Sequence, residues 1–228
     1  MDRKWWIGAV ALTIVLLCSI VRTNGATAPA LSPAQGLSRL VAGNQRFQNG
    51  TATHPGQSAS RRESLAGGQS PFAVIVSCSD SRVPPEIIFD QGLGDLFVVR
   101  VAGNTVTRAG LESIDYAIDH LGASLVVVLG HDSCGAVKGA LDECPVTHQE
   151  QTKKLPEIFG NICPAVDEAR KAGDDPLSRA IDFNVRDQVK ALERLSRFKT
   201  RISGGNLKIV GARYILQTGK VQILSSPN

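Results

Sequence analysis

At 228 residues, 43% of them hydrophobic and 20% charged, the chain can bury a sizeable core, which excludes a disordered segment. The net charge of +4 is mild and its Lys and Arg are dispersed, Arg61-Arg62 being the single Arg pair, which argues against a nucleic-acid partner.

Arg3 and Lys4 precede an apolar run from Trp5 to Val21, and small residues follow at 23–28. Basic, then apolar, then small is the order of a secretory signal. Residues 1–25 are therefore expected to export the chain to a periplasmic or other extracytoplasmic space. The run is also close to a membrane-spanning length, so an uncleaved anchor is the alternative. Residues 26–36, rich in Ala, Pro and Gly, read as a linker, and 37–228 as one folded domain. A helix is expected over 37–49 and a short one over 60–66. Phe72 to Val76, Leu96 to Val101, Leu125 to Leu129 and Leu207 to Gly211 are apolar runs that predict buried strands. Tyr214 to Leu216 and Val221 to Leu224, joined through Thr218-Gly219, predict a terminal hairpin. Helical spacing is found over 109–120, 136–142, 155–171 and 181–198. Alternating strands and helices imply an α/β fold, a mostly parallel central sheet flanked by helices.

Two turns carry the chemistry. Cys78-Ser79-Asp80-Ser81-Arg82 follows the first strand, and His131-Asp132-Ser133-Cys134-Gly135 follows the third. In open parallel sheets, sites form at the carboxyl ends of strands, so both turns can converge. Cys78, His131 and Cys134 make a three-ligand set for Zn²⁺, and three ligands rather than four leave a position open for catalysis. Cys134 also begins a helix, whose positive end favours its thiolate. Asp80 has two possible roles. Paired with Arg82, its carboxylate is held off the metal and accepts a hydrogen bond from the nucleophile. Released, it becomes a fourth ligand and shuts the site.

These motifs resemble the beta-class carbonic anhydrases: C-S-D-S-R-V-P at 78–84, F-D-Q-G-L-G-D-L-F-V-V-R-V-A-G-N at 89–104, S-I-D-Y-A at 113–117, G-H-D-S-C-G-A-V at 130–137 and N-V-R-x-Q-V at 184–189. The resemblance implies a zinc-dependent lyase domain that hydrates CO2 reversibly to bicarbonate and a proton. It matches Cys78, His131 and Cys134 to the zinc ligands and Asp80 and Arg82 to the catalytic dyad. It also matches Gln69 to the substrate-orienting glutamine, and Phe97 and Tyr116 to the apolar CO2 pocket. A homodimer or higher even oligomer with the site at its interface is implied. Some members carry a second, inhibitory bicarbonate site. Here Arg100 stands at its Arg place, but Ile75 replaces its Trp, so the chain resembles the non-inhibited type.

Two other readings stay open. One is a CS2 or COS hydrolase on the same scaffold; the other is a catalytically silent zinc-binding protein, against which Asp80, Arg82 and Gln69 argue. His54, His120 and His148 are shuttle candidates by residue type alone, and His120 is expected to cap its helix. Cys144 and Cys163 either form a disulfide or remain two thiols. Each precedes a proline, which suggests a bend at each.

Overall fold

Four of the five strands are short, largely apolar segments, two of them buried along their whole length. In the computed structural model, which describes residues 31–146 and 156–224, they are β1 (Ala73–Ser77), β2 (Leu96–Arg100), β3 (Leu125–His131) and β4 (Lys208–Tyr214). A shorter β5 (Val221–Leu224) closes the sheet. The strand order is β2-β1-β3-β4-β5. The first four are parallel, and β5 runs antiparallel to β4. The chain steps outward from β1 to β2, then crosses back to lay β3 on the other side of β1. That reversal opens a crevice between the carboxyl ends of β1 and β3. β1 leaves the sheet at Ser77, level with Leu129, while β3 continues to His131 opposite Tyr214.

The helices are α1 (Pro33–Gln48), α2 (Ala59–Ser64), α3 (Pro85–Ile88), α4 (Arg108–Asp119), α5 (Gly135–Glu143), α6 (Glu157–Lys171), α7 (Pro176–Glu193) and α8 (Ser196–Ser203), with a 3-10 turn at Ala102–Asn104. Successive strand residues point to opposite faces. Val74, Val76, Val126 and Val128 therefore pack with Ile114 of α4, Val185 and Leu192 of α7 and Phe198 of α8. Ile75, Val127 and Leu129 pack on the other face with Leu40 of α1 and Ile88 of α3. Gly130 lets α7 approach the sheet closely, because a Cβ there would lie 2.5 Å from Val185 Cγ2. A third apolar cluster, including Val137, Ala140, Ile162, Val166 and Ile181, sits under the crevice among α5, α6 and α7.

Several boundaries differ from expectation. α1 starts at Pro33, inside the expected linker, because Ser32 and Gln35 form a reciprocal capping box at its start. The fourth strand and the first hairpin arm are one continuous strand, β4. The helix expected over 181–198 divides where Leu195 turns extended (φ −69°, ψ 125°). Cys144 and Cys163 are joined in a disulfide with their Cα atoms 5.6 Å apart. Cys144 ends α5, as its proline suggests, but Cys163 lies within α6 with Pro164 inside the same helix. The signal reading of residues 1–25 and the reading of His148 fall outside the described residues. His120 is the C-cap of α4, its N–H donating to the Tyr116 carbonyl.

Candidate active site

Both predicted turns end at the crevice. Cys78 follows β1 directly, His131 is the last residue of β3, and Cys134 is the N-cap of α5. One ligand atom from each of the three residues lies within 4.8 Å of the others, and all three residues are buried. The turn between His131 and Cys134 needs a left-handed residue, and Ser133 takes it with φ 53°. Arg100, at the end of the neighbouring β2, donates from Nε to the Cys78 carbonyl (3.1 Å) and from Nη2 to the Asp80 carbonyl (2.6 Å). It braces the first turn. Asp132 braces the second, its Oδ1 accepting from the Leu216 N–H (2.8 Å).

The donor chemistry suits a soft dication. His131 Nδ1 lies 2.9 Å from the Asp132 carbonyl. A carbonyl only accepts, so Nδ1 carries the ring proton and Nε2 presents a bare lone pair. Nε2 is fully buried without a hydrogen-bond partner, a costly state unless something binds there. The two sulfurs shift one another's ionisation in opposite directions. The Cys78 thiol is held well below its ordinary range, first by the hydrogen bond from Cys134 and further by the Gly103 N–H. Cys134 is pushed up by its bond to Cys78, by burial and by the Cys78 charge. Burial opposes two adjacent thiolates unless a cation lies between them. The residues present therefore fit a zinc-type ion.

Asp80 and Arg82 stand beside this group. Arg82 grips the carboxylate as a fork, Nε to Oδ1 at 2.9 Å and Nη2 to Oδ2 at 2.7 Å. The Arg82 N–H also donates to Oδ1 (2.9 Å). Asp80 Oδ2 lies 3.8 Å from His131 Nε2. Hydrogen bonding to Arg82 holds the Asp80 carboxyl well below the usual carboxylate range. Arg82 Nη2 is also 3.4 Å from the Ser133 carbonyl, so it ties the two turns together.

The other expected residues lie elsewhere in the chain. Phe97 and Tyr116 are neighbours, with ring centroids 6.3 Å apart, and Tyr116 is 49% exposed. Phe97 pairs in register with Val74, toward the start of β1. Gln69 is exposed in the segment before β1, whereas Cys78 follows β1. Five strand residues between them span roughly 16 Å. Within one chain, Gln69 and Phe97 therefore sit toward the end of the sheet opposite the Cys-His-Cys group.

Comparison with known proteins agrees with this geometry. The family model described as carbonic anhydrase matches residues 73–221. The chain belongs to the carbonic anhydrase family. It is 44% identical over 201 residues to "Carbonic anhydrase 2" of Mycobacterium tuberculosis, covering 84% of this chain and 93% of that one. The beta-carbonic anhydrase CcaA superposes with a TM-score of 0.64 at 28% identity, over 83% of this chain and 95% of its own. One of two tetrameric beta-carbonic anhydrases of Sordaria macrospora superposes with a TM-score of 0.61 at 26% identity, over 84% and 95%. The chain is thus a beta-class carbonic anhydrase, a lyase acting on CO2.

The sequence pointed to the three ligand candidates and the dyad. It missed the bracing by Arg100, the Gly103 N–H on Cys78 and the anchoring by Asp132. The first two lie in the recognised stretch at 89–104, but motif matching alone assigns them no such contacts.

Proposed function

We propose that this carbonic anhydrase works with Zn²⁺ held by Cys78, His131 and Cys134, and with Asp80 and Arg82 as its catalytic dyad. The observation that carries the reading is the buried, unpartnered His131 Nε2 facing two sulfurs beside a carboxylate held by Arg82. When bound, zinc supplies the Lewis acidity that makes water a nucleophile near neutral pH. Arg82 keeps the Asp80 carboxylate turned away from a ligand role. Asp80 Oδ2 accepts from Arg82 with one lone pair, and its other can accept the hydrogen of the attacking water and so aim the water's lone pair at CO2. The two thiolates and the neutral imidazole cancel a dication's charge, so activity is expected to rise toward alkaline pH.

Gln69, Phe97 and Tyr116 form the substrate pocket in this reading. Their placement at the other end of the sheet supports a pocket shared between two chains, hence a homodimer or higher even oligomer. Export to an extracytoplasmic space is the matching cellular reading. The Cys144–Cys163 disulfide supports it, since such bonds persist in oxidising compartments.

Metal analysis and CO2 hydration of the purified protein test the core of the reading. About one zinc per chain is expected, and Cys134→Ser should lose most of both zinc and activity. Full zinc and full turnover in that variant would refute the ligand assignment.

A further inference from the structure

The motif at 184–189 has no role in the zinc and dyad reading, yet two of its polar side chains are buried, Asn184 to 1% exposure and Gln188 to 7%. They stand one helical turn apart on α7, at the i, i+4 spacing that places side chains on one face. Gln188 Oε1 accepts from the Val106 N–H at 2.9 Å. Gln188 Nε2 donates to Asn184 Oδ1 at 3.3 Å. Asn184 Nδ2 donates to the Gly103 carbonyl at 2.8 Å. The direction of this relay is fixed at both ends. A backbone N–H only donates and a carbonyl only accepts, so neither amide can flip without opposing like groups.

What the relay holds is the loop from Gly103 to Val106, and that loop touches the metal candidate. The Gly103 N–H donates to Cys78 Sγ at 3.3 Å. Gly103 is left-handed, with φ 68° and ψ 22°. A Cβ there would lie 2.7 Å from Ile162 Cδ1 and 3.3 Å from Ala136 Cβ. Glycine is therefore favoured here, and glycine is the residue with the most backbone freedom. A tie on its carbonyl restricts that freedom and helps to keep the N–H aimed at the sulfur. Asn184 supplies that tie.

We propose that Asn184, oriented by Gln188, is a positioning residue for the metal centre: it holds the Gly103 N–H on Cys78 Sγ and so sets the charge that this sulfur offers the metal. The inference rests on Cys78 being a ligand. Groups that orient metal ligands typically alter metal affinity about 10- to 100-fold when lost. Without Asn184 the loop is less organised and the Cys78 thiolate loses a donor. That sulfur is then less firmly placed for the metal, and once bound it is more electron-rich.

The test uses the full protein with two probes, zinc ion against a chromophoric chelator and cobalt(II) for its sulfur-to-cobalt charge-transfer absorption. Asn184→Ala should weaken zinc about 10- to 100-fold and move the cobalt band to lower energy. Gln188→Leu, which keeps the Asn184 amide but frees it to turn, should shift both in the same sense by less. Asn44→Ala is the control. Asn44 is equally buried and bonds to the Ile88 and Gly219 carbonyls and the Val221 N–H, away from the metal group. It should lower stability and leave zinc affinity and the band unchanged. Wild-type affinity and band position in Asn184→Ala, or equal changes in Asn44→Ala, would overturn the proposal while leaving the ligand assignment intact. If Asn184→Ala does not fold, an unshifted band in Gln188→Leu overturns it. A wild-type protein that binds neither ion would refute the ligand assignment itself.

Discussion

Asp80 shows how a surface-facing pair can still be chemically exacting. Its carboxyl is held below its ordinary range, chiefly by hydrogen bonding to Arg82. A depressed folded-state value means that the pair's contribution is present above the unfolded value, near 3.9, and fades only as pH falls below it. Across the neutral and alkaline range Asp80 is therefore ionised throughout, and the expected alkaline rise in activity does not belong to it. Asp80→Asn should keep its zinc and lose on the order of 100-fold in kcat, because an amide is the poorer acceptor. The midpoint of its pH–rate profile should stay in the same place. Arg82→Ala should also lose activity, since the released carboxylate can turn to the metal. Wild-type rates in both variants would show that the turn is only architectural. Arg100 belongs to the same scale: its guanidinium is committed to the Cys78 and Asp80 carbonyls, a bracing role quite different from anion capture.

At the scale of elements, the strands were legible because β1 and β3 are continuous aliphatic runs, and only their ends were misjudged. Gly130 and His131 extend β3 through pairing with Arg213 and Tyr214, a long-range contact that local pattern does not reveal. α3 and the 3-10 turn at 102–104 are too short to show a period. The ligand turns were readable because each places reactive residues directly after an apolar strand. The Asn184 relay was not, since its partners lie 81 and 82 residues away in the chain. Cys163 misled for a local reason. The residue before a proline usually leaves the helix. Here Pro164 forfeits only its bond to the Gly160 carbonyl, and buried Ile162, Ala165 and Val166 keep α6 intact around it. Arg170 of α6 donates to the Leu141, Cys144 and Pro145 carbonyls, so the disulfide and Arg170 together fasten the end of the helix that Cys134 begins. In protein lacking residues 1–30, thiol titration after unfolding and metal removal should find Cys78 and Cys134 free, with Cys144 and Cys163 appearing only on reduction. Cys144→Ala should cost roughly 3 kcal/mol in denaturant unfolding, the loop-closure value for a cross-link of this span. Four thiols before reduction would contradict the bridge.

At the scale of the whole molecule, one chain places the proposed substrate-pocket residues apart from its own Cys-His-Cys group. The Cys-His-Cys group and the dyad lie at the carboxyl end of β1, whereas Gln69 precedes that strand and Phe97 pairs near its start. Among the described residues none hydrogen-bonds the Gln69 side chain, and Tyr116 leaves half its surface exposed beside Phe97. Under the proposed shared pocket, this exposed aromatic pair belongs to the surface that a second chain covers. A two-fold pair resolves both features, because an isologous contact brings each patch of one chain to its counterpart patch on the other. Sedimentation of the purified protein should accordingly give an even multiple of the chain mass. A sharper prediction concerns which chain supplies which residue. Asp80→Asn and Gln69→Ala should each be strongly impaired alone. When the two variants are unfolded together and refolded as mixed pairs, one site per pair joins an intact Asp80 from one chain to an intact Gln69 from the other. Activity should then exceed the mean of the two parents clearly. If Gln69 served the site of its own chain, every site in the mixture would carry one lesion and no activity would return.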